Sequence, residues 1–253
     1  VIAGFRRSPF TPADRGRLAK VRPDDLLAQV LQALVAATRV EPADLEDVIV
    51  GCAFPEGEQG LDVARMAGLL ARLPVEVAGV TVNRFCGSSM QAVHTAAGAI
   101  RMGAGEAFLC AGVESMTRVP MPGFNFSPNP ALYENLPEAY MSMGETAENL
   151  ARRYGIARPE QEAFALESHR RAAAAEAAFA DEVVPIVAEG GERIDRDGTI
   201  RHDTSLEALA ALEPAFERGG TVTAGTAAPL TDGAAALLVT GEDHARRHGL
   251  DIM

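Results

Sequence analysis

Apolar positions recur along the first half of the chain in two alternating rhythms. Val1 to Phe5 reads as a strand. From Asp24 to Arg39, Leu26, Leu27, Val30, Leu31, Leu34 and Val35 form a stripe at helical spacing, with Pro23, Asp24 and Asp25 where a helix start favours them. Val48 to Cys52 is a short buried strand, Asp62 to Leu73 a helix stopped by Pro74, and Val77 to Asn83 another strand. Gly87 to Met102 reads as a helix rich in small residues, and Glu106 to Val113 returns to strand. A last strand, Ala234 to Thr240, is expected to rejoin the same sheet. This order predicts an α/β protein with helices on both faces of one sheet.

The texture changes from Thr117 to about Gly220. Pro120, Pro122, Pro128, Pro130 and Pro137 predict irregular loop, followed by helices over Gly144 to Tyr154 and Pro159 to Phe179. Val183 to Ile186 reads as a strand-like edge. The expected organisation is a core of residues 1–117 and 221–253 with a mainly helical subdomain, 118–220, inserted in it. No short-period tandem repeat is visible.

Composition narrows the function. Of 253 residues, 23 are Lys or Arg and 35 Asp or Glu, a net charge of −12 that excludes sequence-independent nucleic-acid binding. No apolar run reaches the ~18 residues of a membrane helix, and Val1 to Arg7 has charges where a signal peptide needs its apolar stretch. Cys52, Cys86 and Cys110 lack CxxC spacing, so neither a disulfide framework nor a metal site is expected, and the cytoplasm is the natural setting. Val1 is not an initiator Met and Met253 falls in what reads as a linker, so residues are expected to be missing from one or both ends.

One cysteine stands apart. Asn83-Arg84-Phe85-Cys86-Gly87-Ser88-Ser89-Met90-Gln91 joins a strand to a helix and puts Cys86 at the helix start. Free N–H groups and the positive dipole end favour a thiolate there and can stabilise a thioester oxyanion. That suits a covalent nucleophile accepting an acyl group. A buried structural thiol is the alternative at that position, and it is the preferred reading for Cys52 and Cys110, which lie inside apolar strands.

The stretch Asn83 to Gln91 resembles the nucleophile motif of the thiolase family, the acyl-CoA C-acetyltransferases. Gly112 to Thr117 is similar to the family's strand-to-loop segment, and Met143 to Asn149 to its MGxTAE segment. Thr221 to Gly225 with Asp232 to Ala236 resembles the run that re-enters the core. All four occur in family order across nearly the whole chain.

The resemblance implies a layered thiolase fold, of which this chain is the N-terminal βαβαβαββ core half with a loop domain covering coenzyme A. It implies a two-step exchange: the cysteine attacks the ketone of a 3-ketoacyl-CoA, acetyl-CoA leaves as an enolate, and CoA collects the acyl group. The reverse is a Claisen condensation. The roles span fatty acid metabolism and β-oxidation, with acyl-CoA and CoA as partners and no permanently bound cofactor. In the family, the acid/base groups are a His in a GHPxGxxG segment and a Cys in a CxGGG segment of the second half. Neither segment occurs here, so negligible turnover is expected of this chain alone. The full-length protein is expected to be a homodimer or tetramer. The helix Gly87 to Met102 is apolar on several faces, so the chain by itself is expected to expose a patch.

By the same resemblance, Arg201 contacts the adenine nucleotide of CoA, and Leu209, Leu212 and Phe216 line its tunnel. Met143 lies beside the reacting thioester, while Ala224 and Ala228 lie along the pantetheine. Surface or core roles are the alternatives for Arg201 and for the apolar three. Two departures stand out. Ser142 replaces the His of many biosynthetic members, which leans toward the degradative 3-ketoacyl-CoA type. Ala228 replaces a Ser whose lost hydrogen bond costs ~0.5–1.5 kcal/mol. Of the histidines, His94 is expected to be packed or capped, His169 and His202 solvated in the loop domain, and His244 and His248 on a solvated helix face. The competing readings are a truncated, non-catalytic half that binds acyl-CoA or a partner chain, and a ketoacyl synthase, which the MGxTAE segment disfavours.

Overall fold

The computed structural model describes all of residues 1–253. The strands are β1 (Ile2–Arg7), β2 (Thr11–Pro12), β3 (Leu45–Gly51), β4 (Ala78–Val82), β5 (Ala107–Ser115), β6 (Ile186–Val187), β7 (Arg193–Ile194) and β8 (Thr231–Thr240). The helices are α1 (Pro23–Thr38), α2 (Val63–Leu70), α3 (Ser88–Met102), α4 (Pro130–Asn135), α5 (Met143–Tyr154), α6 (Arg158–Phe179), α7 (Leu206–Ala210) and α8 (Glu242–Arg247). The main sheet has the order β1-β8-β5-β3-β4, with β2 also paired to β8. β3 runs parallel to both β4 and β5, and β8 runs antiparallel to β1 and β5.

Successive side chains of a strand point to opposite faces, and this sheet is apolar on both. Val48 and Val50 of β3, with Leu109 and Ala111 of β5, join one buried cluster with Leu27, Leu31 and Leu34 of α1 and Val63 and Ala67 of α2. Ile49, Phe108, Cys110 and Val239 point the other way, into a smaller cluster with Ala92 and Ala96 of α3. Near-continuous apolar runs are what a sheet covered on both faces requires.

The chain divides into two compact units. One comprises Val1–Phe124, Ala180–Gly198 and Leu230–Met253, and carries the main sheet. The other comprises Asn125–Phe179 and Thr199–Pro229. This partition differs from the 118–220 insertion expected from the sequence, because Ala180–Gly198 belongs with the sheet. Ile186 and Ile194 of the β6–β7 hairpin are fully buried in its larger cluster. Arg7 at the end of β1 ion-pairs with Glu182 at 2.6 Å and Asp197 at 2.8 Å, and the Val184 N–H donates to the Arg7 carbonyl. Those partners lie over 170 residues away in sequence, out of reach of any local pattern.

The second unit is helical. Ser142 and Glu145 form a capping box at the start of α5, and Gly155 ends it in the left-handed conformation. Glu148 on α5 is buried and accepts hydrogen bonds from the N–H groups of Thr221 and Val222 and from the Thr221 hydroxyl. Burial raises its pKa, but the N–H donors of Val222 and Thr221 outweigh this and hold it below the ordinary carboxylate value. The proline-rich stretch, expected to be irregular loop, contains the short helix α4. Asn129 caps α4 by accepting from the Leu132 N–H, and Pro130 occupies its first position.

A half-buried acid marks the sheet. Burial pushes the Asp47 carboxyl up from 3.8 to about 6, and its Oδ1 has no hydrogen-bond partner. The raised value means that the native state favours the protonated form. Asp47's contribution is therefore full below about pH 4 and lost as pH rises through about 6. Asp47→Asn is expected to raise stability above about pH 7 by roughly 1 kcal/mol after discounting for solvent screening. Near about pH 4 it should leave stability unchanged, read as urea midpoints at the two pH values.

Candidate active site

The turn from β4 into α3 is built from its own backbone. Gly87 and Ser88 donate their N–H groups to the carbonyls of Arg84 and Phe85, both at 3.0 Å. The Ser88 hydroxyl bridges the turn, accepting from the Arg84 N–H at 2.8 Å and donating to the Phe85 carbonyl at 2.6 Å. Asn83 accepts from the Phe85 N–H and donates to the Ala53 carbonyl. Phe85 is forced to φ +45°, a conformation that costs a residue with a Cβ on the order of 1–3 kcal/mol. The result is an exposed Cys86 immediately before the first turn of α3, whose N–H groups have no side-chain cap. An exposed thiol beside uncapped donors and the positive helix end suits a nucleophile whose product carries developing negative charge.

The close seat of α3 on the sheet depends on two glycines. Gly51, the last residue of β3, and Gly112, within β5, are register partners. A Cβ on Gly51 would lie 2.3 Å from backbone atoms of Ser88 and Ser89, and one on Gly112 would lie 2.4 Å from the Ser89 hydroxyl oxygen. Glu114 closes the neighbouring loop. Its carboxylate accepts from the Ala53 N–H at 2.7 Å and the Gln59 amide at 2.8 Å. The other two cysteines are buried, at 1% and 2% exposure. Burial, and then Glu114, push the Cys52 thiol up, and burial with Asp47 pushes Cys110 up to about 12. Both stay protonated and inert.

In the helical unit, Met143 is exposed at the first position of α5. Gly144 beside it lies against the Phe216 ring, where a Cβ would come within 2.0 Å. Leu209 is buried and Leu212 partly exposed, and both pack on Gly225, next to the exposed Ala224. Gly144 with Phe216, and Leu209 and Leu212 with Gly225, thus form two close contacts. The Arg201 N–H donates to His169 Nδ1 on α6 at 3.2 Å, while its exposed guanidinium has no partner within the protein. Ala228 is exposed and joins neither contact. The loop 213–219, which carries Phe216, borders an open concavity of about 390 Å³.

Two histidines depart from expectation, while His202 and His248 are exposed as expected. His94 is exposed on α3, not packed. His244 is 3% exposed, not on a solvated face, because α8 turns His244 and Ala245 inward. The sequence pattern predicts neither the left-handed Phe85 nor the Gly51–Gly112 pairing. Their one local signal is a small-residue helix start together with glycines in the β3 and β5 runs.

These features put an exposed cysteine at an uncapped helix start on an α/β core, and comparison with known proteins is specific. Residues 1–243 match the family model described as "Thiolase, N-terminal domain". The 3-ketoacyl-CoA thiolase of Bacillus subtilis (strain 168) is 43% identical over 264 residues, covering 99% of this chain and 68% of that protein. That of Escherichia coli O1:K1 / APEC is 46% identical over 259 residues, covering 99% and 66%. The crystal structure of the Bacillus anthracis acetyl-CoA acetyltransferase superposes with a TM-score of 0.88 at 36% identity, covering 99% of this chain and 67% of that one. The chain belongs to the thiolase family, and spans about two thirds of the length of the curated relatives it matches.

Gly51→Ala is expected to lower stability by about 1–3 kcal/mol through overpacking against α3. Gly98→Ala, whose Cβ meets nothing within 4 Å in the middle of α3, is expected to raise it by about 0.5–1 kcal/mol. Denaturant midpoints of the two variants check both signs.

Proposed function

We propose that this chain provides the acyl-accepting half of a degradative-type thiolase reaction on 3-ketoacyl-CoA. The carrying observation is Cys86, exposed at the uncapped start of α3 on a turn that strains Phe85 to hold it there. In this reading, Cys86 Sγ attacks the ketone carbon, the C2–C3 bond breaks, and acetyl-CoA leaves as an enolate that takes up a proton. The acyl-cysteine then passes its acyl group to the thiol of CoA. In this reading, proton transfer is assigned to the acid/base groups that the resemblance places in the part of the relatives' length this chain does not span.

The helical unit is proposed to hold CoA. Arg201, whose guanidinium has no partner within the protein, suits the charged and planar nucleotide end. The apolar Leu209, Leu212, Phe216 and Met143, with Ala224 and Ala228, suit the pantetheine arm. The exposed apolar side chains of α3, Met90 and Met102, with Val80 of the edge strand β4, support assembly of the complete protein as a homodimer or tetramer. No helix is long and apolar enough to cross a membrane.

Intact-mass measurement tests the nucleophile. Incubation with acetyl-CoA is expected to add about 42 Da, one acetyl group in place of a hydrogen. Cys86→Ala is expected to abolish the adduct. An adduct that persists in that variant overturns the assignment. Arg201→Ala is expected to weaken CoA binding about tenfold by calorimetry, equivalent to about 1.4 kcal/mol.

A further inference from the structure

The one fully buried histidine lies away from Cys86, in the same sheet-bearing unit. His244 Nε2 is buried with no hydrogen-bond partner, an arrangement that costs free energy unless something occupies it. Four residues on, at the C-terminal end of α8, the His248 ring stacks on that of His244 with centroids 4.3 Å apart. Spacing i, i+4 brings two imidazoles to one side of a helix, as metal-binding histidine pairs require. Asp44, from the turn before β3, adds a carboxylate. Its Oδ2 is 3.5 Å from His248 Nδ1 and is also buried without a hydrogen bond. One ligand atom from each of Asp44, His244 and His248 lies within 4.8 Å of the others.

The surroundings complete the pattern. Glu106 Oε2 is 3.6 Å from His244 Nδ1 and 2.7 Å from the Arg247 guanidinium. A carboxylate facing Nδ1 favours the proton there and leaves the Nε2 lone pair available, as outer-shell carboxylates do for metal-bound histidines. The nearby cations Arg246 and Arg247 are each paired to a glutamate, Glu242 and Glu106.

We propose that Asp44, His244 and His248 bind a divalent transition-metal ion, Zn2+ foremost, with water completing the shell. Two imidazoles and one carboxylate match zinc's preference for nitrogen and oxygen ligands and poorly suit Mg2+ or Ca2+. Metal–ligand bonds of about 2.0–2.1 Å bring ligand atoms to roughly 3.4 Å separation in a tetrahedron. Reaching that size from 4.8 Å requires a shift of the ligand atoms, for which His248, with its side chain 42% exposed, has room. The bound ion then cross-links α8 to the turn that leads into the central strand of the parallel set.

Co2+ is the probe, titrated into the whole chain carrying Cys86→Ser so that the exposed thiol does not compete. A visible ligand-field band saturating at one equivalent, without a thiolate charge-transfer band, is expected, and Zn2+ should displace it. Asp44→Asn and His248→Ala are each expected to weaken binding at least tenfold, and Glu106→Gln about tenfold. Zn2+ should raise the melting temperature of the parent protein and Mg2+ should not. Melting without metal verifies that each variant folds. Absence of the band in the parent, or a titration unchanged in folded His248→Ala and Asp44→Asn, overturns the proposal.

Discussion

The site depends on how closely the first turn of α3 approaches the sheet. Gly51 and Gly112, side by side on β3 and β5, let the backbone of Ser88 and Ser89 rest where any Cβ would clash. Ala92 and Ala96 continue the contact with the smallest side chains that still exclude water. A helix seated this low leaves only a few residues to climb from β4 to its start. The climb forces Phe85 into left-handed backbone and leaves Cys86 outward with its sulfur in solvent. Nucleophile exposure is thus a consequence of packing beneath it, and the strain at Phe85 is held by the hydrogen bonds of Ser88 and Asn83.

The two units are held together internally by different means. The sheet unit buries leucines and valines on both faces. The helical unit relies on buried charge. Besides Glu148, Arg158 pairs with Glu162 at 2.6 Å and donates to the carbonyls of Leu209, Ala210 and Leu212. Such pairs fix geometry more than they add stability, because their desolvation offsets much of the attraction. They also spare apolar side chains: Met143, Leu212 and Phe216 remain partly or largely exposed.

Local periodicity made the sheet unit legible. The leucine stripe of α1 and the strand runs at 48–52 and 106–113 carry their burial in their own spacing. Cys86 was legible because strand, turn and helix start are adjacent in sequence. The rest is long-range. The Ala180–Gly198 segment joins the sheet through Arg7, and His244 becomes buried by packing no helical wheel predicts, its charged neighbours Glu242, Asp243, Arg246 and Arg247 suggesting solvent. Asn129 and Pro130 are a readable helix start set among other prolines.

β8 is the only strand of the main sheet that runs against its neighbours, and it sits between β1 and β5. The Val1 amino group meets the Thr240 carbonyl 239 residues away. Until β8 emerges, β1 has no partner in the main sheet and β5 offers an open edge to any passing strand. Synthesis therefore passes through a long stage in which α1–α3 can gather on a three-stranded parallel core while the first strand waits. High contact order of this kind makes folding slow and concentrates the aggregation hazard in that interval. For a nascent chain, the decisive event is the arrival of the ten residues of β8.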